Sequence, residues 1–332
     1  MYCIALFVVI NLTVFAYGET TTGRVPDPFV SPLSWPLASV SARIFGTKVT
    51  VNIGRPFPAD SSSYTVLLDG ERAGTIPAGS LTLELPLKPD THIISVVKSN
   101  EAMYGEAMFY AFDIENGQVE SYIGPTRKIE IIGDSISTGY GNLGPNAYCV
   151  ASASNEDSTL TYGPLAATSL NAQINLIAYS GKGLYRNYDS SLDKTMPTLW
   201  NWVHPNDQTQ WNTSLYQPDV VLVNLGTNDV AGGTDILDQF QATYLIFLQR
   251  LRSSYSSAKI ILGIGPLLNG KVRDAVFGVL ENVINATDVG DVYLLDFGIQ
   301  TIDSAGNGAG CEYHPSLETH RRMAGTLENT IR

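Results

Sequence analysis

Two patterns of hydrophobic positions divide the chain. Between residues 42 and 122, short β runs at 48–53, 64–68, 81–85, 92–97 and 108–112 are separated by turn residues such as Asp69-Gly70 and Pro89-Asp90. Alternation along such runs sets one face of each strand against a core, and no stretch of helical period intervenes, so the pattern predicts an all-β sandwich. Past Gly124-Pro125 the pattern changes. Continuous apolar runs at 128–132, 172–178, 220–225, 259–263 and 292–295 alternate with helical spacing at 162–170, 238–253, 275–285 and 315–330. Strands apolar on both faces and joined by helical crossovers predict a parallel sheet covered on both sides. In such sheets the functional groups gather beyond the carboxyl ends of the strands.

The amino-terminal stretch reads differently. Residues 1–18 carry no charged side chain, and Ala16-Tyr17-Gly18 offers small residues where a signal peptidase reads, which predicts a cut before Glu19 and a secreted, extracellular protein. Asn11 and Thr13 interrupt the apolar run, which falls short of the ~20 residues a membrane span needs. Residues 19–36, rich in Thr, Pro and Ser, read as an exposed lead-in. The expected organisation is therefore signal peptide 1–18, lead-in 19–36, β-sandwich 37–124 and α/β domain 125–332.

Composition narrows the partners. With 44% hydrophobic and 16% charged residues the chain folds, and its net charge of −12 repels phosphate backbones and anionic lipid. Neither nucleic acid nor a membrane is expected as a partner; a monomer acting on a neutral substrate is. Once Cys3 leaves with the signal, Cys149 and Cys311 remain, and an oxidising compartment favours a bridge between them. Asn212-Thr213-Ser214 and Asn285-Ala286-Thr287 are glycosylation acceptors in a eukaryotic source.

Candidate chemistry clusters after the strands. Ser135 follows the 128–132 run, Gly181 the second strand, Asn228 the third, and His314 the last by a longer loop. A serine hydroxyl needs a base to become a nucleophile. Of four histidines, His92 lies in the β pattern, His204 in a Trp-rich loop and His320 on the final helix, which leaves His314. The N–H groups of Ser135 and Gly181 and the Asn228 amide supply donors for an oxyanion. A neutral imidazole is required, so activity is expected to rise with pH around ~6.5. Trp200, Trp202 and Trp211 crowd one segment, either as sugar-stacking faces or as packing for their own loop. No His, Cys and carboxylate set has metal-ligand spacing, and no cofactor is expected. Gly139-Tyr140-Gly141-Asn142-Leu143-Gly144 has dinucleotide-motif spacing but opens no helix. Segment 265–271 lacks the phosphate loop's hydroxyl, since Val272 follows Lys271.

Gly133-Asp134-Ser135, Ser180-Gly181-Lys182-Gly183, Gly226-Thr227-Asn228-Asp229 and His314-Pro315 together resemble the four signature blocks of the SGNH (GDSL-type) hydrolases. The extended strings through Gly141 and Asn187, with the β region before them, resemble carbohydrate esterase family two. That resemblance implies a flavodoxin-like three-layer hydrolase domain with a parallel sheet, preceded by a jelly-roll-like sandwich. It also implies metal-free removal of acetyl groups from xylan and related plant polysaccharides. Such enzymes usually carry an acid three residues before the histidine; here Cys311 stands there, with Glu312 next. The expectation is a Ser135–His314 dyad oriented by a backbone carbonyl near Cys311, with a triad through Glu312 as the alternative. The implied function is a secreted acetyl xylan or glucomannan esterase. The competing readings are a secreted lipase or general esterase, and an inactive glycan-binding module.

Overall fold

The computed structural model describes residues 19–26, 31–54 and 61–332. Strands β1 (Thr20–Thr22), β2 (Ser39–Phe45), β3 (Lys48–Gly54), β4 (Tyr64–Leu68), β5 (Glu71–Ile76), β6 (Thr82–Pro86), β7 (Thr91–Lys98), β8 (Met108–Glu115) and β9 (Gln118–Glu120) pair antiparallel in two sheets. One runs β1-β2-β7-β4-β5, with β9 also against β2; the other runs β6-β3-β8. Val40, Ala42 and Ile44 from the first and Val49, Val51 and Ile53 from the second interdigitate with Ile94, Val96 and Phe109 as one buried core. This is the expected sandwich. Four strands, β1, β2, β5 and β9, have no counterpart among the apolar runs. β2 begins before the first run, and β5 is an edge strand whose side chains are exposed or half-exposed until Ile76, so its ladder with β4 holds it rather than burial.

The second unit contains β10 (Arg127–Gly133), β11 (Ala172–Ala178), β12 (Trp202–His204), β13 (Asp207–Gln210), β14 (Val220–Asn224), β15 (Lys259–Ile264) and β16 (Val292–Asp296). Its helices are α1 (Ser135–Thr138), α2 (Tyr162–Ser169), α3 (Met196–Leu199), α4 (Leu237–Ser254), α5 (Gly270–Ala286) and α6 (Leu317–Ile331). β12 and β13 form a hairpin; the other five strands make a parallel sheet in the order β11-β10-β14-β15-β16. Val221 and Val223 of β14 face Phe240, Tyr244, Val276 and Leu280 of α4 and α5, while Val220 and Leu222 face the opposite layer with Ala166 of α2 and Met323 and Leu327 of α6. Both faces being covered explains why these strands read as continuous apolar runs. Chain order across the sheet is second-first-third-fourth-fifth, the flavodoxin-like arrangement. The direction of winding reverses between β10 and β14, which opens a crevice at their carboxyl ends.

One expectation is corrected here. Residues 19–36 are not an exposed lead-in where they are described: β1 adds to the first sheet, and Arg24, Val25, Leu33 and Trp35 are buried. The Trp35 indole donates to the Val203 carbonyl at 2.8 Å. Thr, Pro and Ser mark irregular backbone, but the few large side chains between them decide where it lies. The predicted signal segment 1–18, with Cys3, lies outside the described residues. Among the described residues no helix is long and apolar enough to cross a membrane.

Candidate active site

The crevice receives groups from the ends of β10, β11 and β14 and from the long loop after β16. β10 ends at Gly133, and the Asp134 carboxylate caps α1 by accepting from the Ile136 N–H at 3.0 Å. That cap places Ser135 on the first residue of the helical turn, where a backbone N–H has no partner within the helix. A side chain at Gly133 would overlap Ser137, so the tight strand-to-helix turn needs glycine. Burial, with Asp229 nearby, pushes the Asp134 carboxyl up to about 7.

His314 reaches the same point from the far end of the chain. The Ser135 Oγ lies 2.9 Å from His314 Nε2, across 179 positions of sequence. The other ring nitrogen, Nδ1, lies 3.0 Å from the Glu312 main-chain carbonyl. A carbonyl only accepts, so Nδ1 carries the hydrogen and Nε2 presents its lone pair to the serine hydroxyl. Burial lowers the imidazole pKa below its ordinary value, an effect that the bond to Glu312 opposes. The Glu312 carboxylate is turned elsewhere: it accepts from the Tyr140 hydroxyl at 3.3 Å and the Ala151 N–H at 3.1 Å. The expected backbone carbonyl is thus that of Glu312, and the carboxylate does not touch the ring.

The turn that aims this carbonyl is strained and clamped. Glu312 and Tyr313 are consecutive non-glycine residues at φ of 51° and 62°, a conformation that survives only where its surroundings over-determine it. Cys311 N–H donates to Gly141 O at 2.9 Å, Glu312 N–H to Cys149 O at 3.2 Å, Tyr313 N–H to Ala147 O at 3.3 Å and Gly310 N–H to His314 O at 2.8 Å. The Cys149–Cys311 disulfide joins the same two segments. A Cβ on Gly144 would collide with both sulfurs, and one on Gly141 with Cys311. Gly141 and Gly144 therefore serve this junction, while Gly139 is the left-handed cap that ends α1.

Gly181 and Asn228 complete the ring of groups. Gly181 sits at φ 78° just past β11, and its N–H donates to no group among the described residues. Its carbonyl accepts from Tyr188 N–H at 2.9 Å. The Asn228 Nδ2 donates to Lys182 O at 2.9 Å, and its second hydrogen has only a long 3.4 Å contact with Asp134 Oδ2. Asp229 is buried behind it and accepts from the Leu184, Tyr185 and Arg186 N–H groups at 2.7 to 2.9 Å, which locks the Gly181–Gly183 turn against β14. The cavity above these groups measures about 550 Å³ and is walled by Tyr140, Tyr188, Leu267 and, from the β sandwich, Met103 and Tyr104. None of these wall residues stood out in the sequence, because single aromatics in loops carry no spacing signal. A second groove, near Leu37 and Pro164, shares no residue with this cavity.

The tryptophan cluster is the second correction. Trp200 and Trp202 are buried in the core beside α4, and the Trp200 indole donates to Glu130 Oε1 at 2.8 Å. Trp211 lies under the Arg24 guanidinium, 5.4 Å from its ring centroid. None of the three lines the cavity. They fasten the loop between β11 and β14. The other histidines also have structural settings: His92 Nδ1 meets Asp69 at 2.6 Å, His204 lies 3.4 Å from Asp207, and buried His320 stacks on Tyr162. Asn212 and Asn285 are both exposed.

Comparison with known proteins agrees with this geometry. Residues 131–322 match the GDSL-like lipase/acylhydrolase family, and residues 21–120 match the carbohydrate esterase 2 N-terminal family. The cellulase/esterase CelE of Acetivibrio thermocellus is 31% identical over 314 residues, covering 92% of this chain and 38% of that protein. The chain thus spans about two fifths of that relative's length. An acetylxylan esterase / glucomannan deacetylase of Cellvibrio japonicus is 25% identical over 319 residues, covering 91% of this chain and 85% of that one. The solved structure of a family two carbohydrate esterase from Clostridium thermocellum, in complex with cellohexaose, superposes with a TM-score of 0.85 at 30% identity. It covers 95% of this chain and 98% of that one.

Proposed function

The chain belongs to the GDSL-like lipase/acylhydrolase family, within carbohydrate esterase family two, and from that premise we propose that it is a secreted serine esterase that releases acetate from acetylated plant polysaccharide, xylan or glucomannan. The observation that carries the reading is the Ser135 Oγ to His314 Nε2 contact at 2.9 Å, with Nδ1 already committed to the Glu312 carbonyl. In this reading Ser135 attacks the acetyl carbonyl while its proton passes to Nε2. The oxyanion is met by the Ser135 and Gly181 N–H groups and by the second amide hydrogen of Asn228, which the long contact to Asp134 leaves ready to move. The imidazolium then protonates the departing sugar oxygen. Water, deprotonated by the same nitrogen, clears the acetyl-enzyme. The small residues and tyrosines around the serine suit a short acyl group on a bulky polar leaving group.

Acetate release from acetylated xylan, acetylated glucomannan and a small aryl acetate, each run beside Ser135→Ala, tests the reading. The intact protein is expected to release acetate from at least one polysaccharide, with Ser135→Ala reduced by three or more orders of magnitude. Preference for long-chain aryl esters would overturn the carbohydrate assignment. Glycan binding without hydrolysis would overturn the enzyme.

A further inference from the structure

The oxyanion loop is held from outside the hydrolase domain. β7 of the sandwich ends at Lys98, and the next turn carries Glu101, a fully buried carboxylate. Glu101 Oε2 accepts from the Ser180 N–H at 2.8 Å, and Oε1 accepts from the Ser180 hydroxyl. Ser180 immediately precedes Gly181, and both line the cavity together with Ser135. One carboxylate therefore fixes both donors of the residue that sets the direction of the next amide.

The carboxylate is itself built in. The buried Lys98 ammonium donates to the carbonyls of Asn100 at 2.8 Å and Glu101 at 3.2 Å, closing the turn. Asn100 takes the Ser63 N–H and gives to Ser61 O, both at 3.2 Å, which ties the turn into the sandwich. Glu156, also buried, accepts from the Glu101 N–H at 2.7 Å. Burial raises both carboxyls, and the Glu101 charge pushes Glu156 the further of the two, well above the usual carboxylate range. A serine hydroxyl and amide would be satisfied by any neutral acceptor. A buried carboxyl, with a second carboxyl and an ammonium built around its turn, is more than a turn requires.

We propose that Glu101, supplied by the β sandwich, is a positioning residue for the oxyanion hole, holding Ser180 so that the Gly181 N–H points at the transition state. The inference rests on the serine-esterase reading and deepens it. Catalysis then depends on the sandwich itself, which is not merely an appended domain.

The test compares wild type, Glu101→Gln and Ser180→Ala in hydrolysis of an aryl acetate and in inhibition by a methylboronic acid, whose tetrahedral adduct on serine carries the oxyanion. An error of about 1 Å at a reacting centre costs on the order of a hundredfold. Glu101→Gln is expected to lower kcat about ten- to a hundredfold with KM within about twofold, and to weaken boronate inhibition by a similar factor. Ser180→Ala removes only the hydroxyl and is expected to show the same split at about threefold to tenfold; it decides the matter should Glu101→Gln not fold. A folded Glu101→Gln with kcat within twofold of wild type overturns the inference, as does a kcat loss that leaves boronate affinity unchanged. Wild type no more active than Ser135→Ala would instead sink the esterase reading, and this inference with it.

Discussion

At the scale of single residues, the protonation of His314 decides when the site works. The base must be neutral, and burial holds its pKa below the ordinary ~6.5 of imidazole. The neutral form therefore persists to lower pH than an exposed histidine would allow. The acid limb of kcat/KM for an aryl acetate should bend below pH ~6.5 and be flat by neutrality, a downward correction of the sequence-based expectation. An inflection above 7 would contradict the buried imidazole. The orienting group is a separate question with a separate test. Because Nδ1 donates to a main-chain carbonyl, Glu312→Gln should retain kcat within about twofold. Were the carboxylate the orienting acid, the amide would be expected to cost on the order of 10⁴. Substitution at the side chain leaves the carbonyl where it is, so only the second mechanism would suffer.

At the scale of elements, the 311–314 turn and the 141–149 loop act as one piece. The bridge closes a loop of 162 residues, which the chain-entropy account values at about 5 kcal/mol. It also pins the left-handed pair Glu312 and Tyr313, each costing on the order of 1 kcal/mol when unsupported. Replacing both cysteines, Cys149→Ser with Cys311→Ser, should lower stability by about 2–5 kcal/mol in urea titration and lower kcat about tenfold as the carbonyl under His314 loosens. Lost stability with unchanged kcat would mean the bonds to Gly141, Ala147 and Cys149 suffice alone. Elements also mark what could be read in advance. The five parallel strands were legible to within a residue or two, the central β10, β14 and β15 because burial on both faces favours apolar residues throughout, the edge strand β16 from its apolar composition although it is half-exposed. Ser135, Gly181 and Asn228 were legible because each follows an apolar run closely, and His314 because the other three histidines had structural places. β5 was not, since an edge strand owes its form to a ladder. Trp200 and Trp202 stay undecided between sugar-stacking and packing in the sequence because an aromatic looks the same there whether it faces sugar or core; the structure takes the packing alternative. Glu101 was invisible for a deeper reason: its partner Ser180 is 79 positions away, in the other unit.

At the scale of the whole molecule, the sandwich and the hydrolase domain interlock at more than one point. Arg24, just past β1, is buried with its Nη1 donating to the carbonyls of Trp200 and, at 2.8 Å, Trp202, and its Nη2 4.0 Å from Glu130. Glu130 lies in the core of β10 and also accepts from Trp200 Nε1, Tyr255 OH and Asn175 Nδ2. Arg72 of β5 pairs with Asp157 at 2.6 Å, and Glu101 holds Ser180. The bonds of Arg24 and Glu101, made by buried groups of one unit to the interior of the other, cannot be released without leaving polar groups unpaired in the core, whereas Arg72 is exposed. The two units should therefore unfold in a single transition, with tryptophan fluorescence and far-UV circular dichroism coinciding along a urea titration. Arg24→Ala removes one partner and strands Glu130, and is expected to cost about 3–5 kcal/mol in the same titration. Arg24→Met combined with Glu130→Gln removes both charges and should recover most of that loss, because the penalty comes from the stranded charge more than from the lost attraction. Two resolved transitions in wild type would show the units to be independent, and would leave the dependence of Gly181 on the sandwich without a mechanical basis.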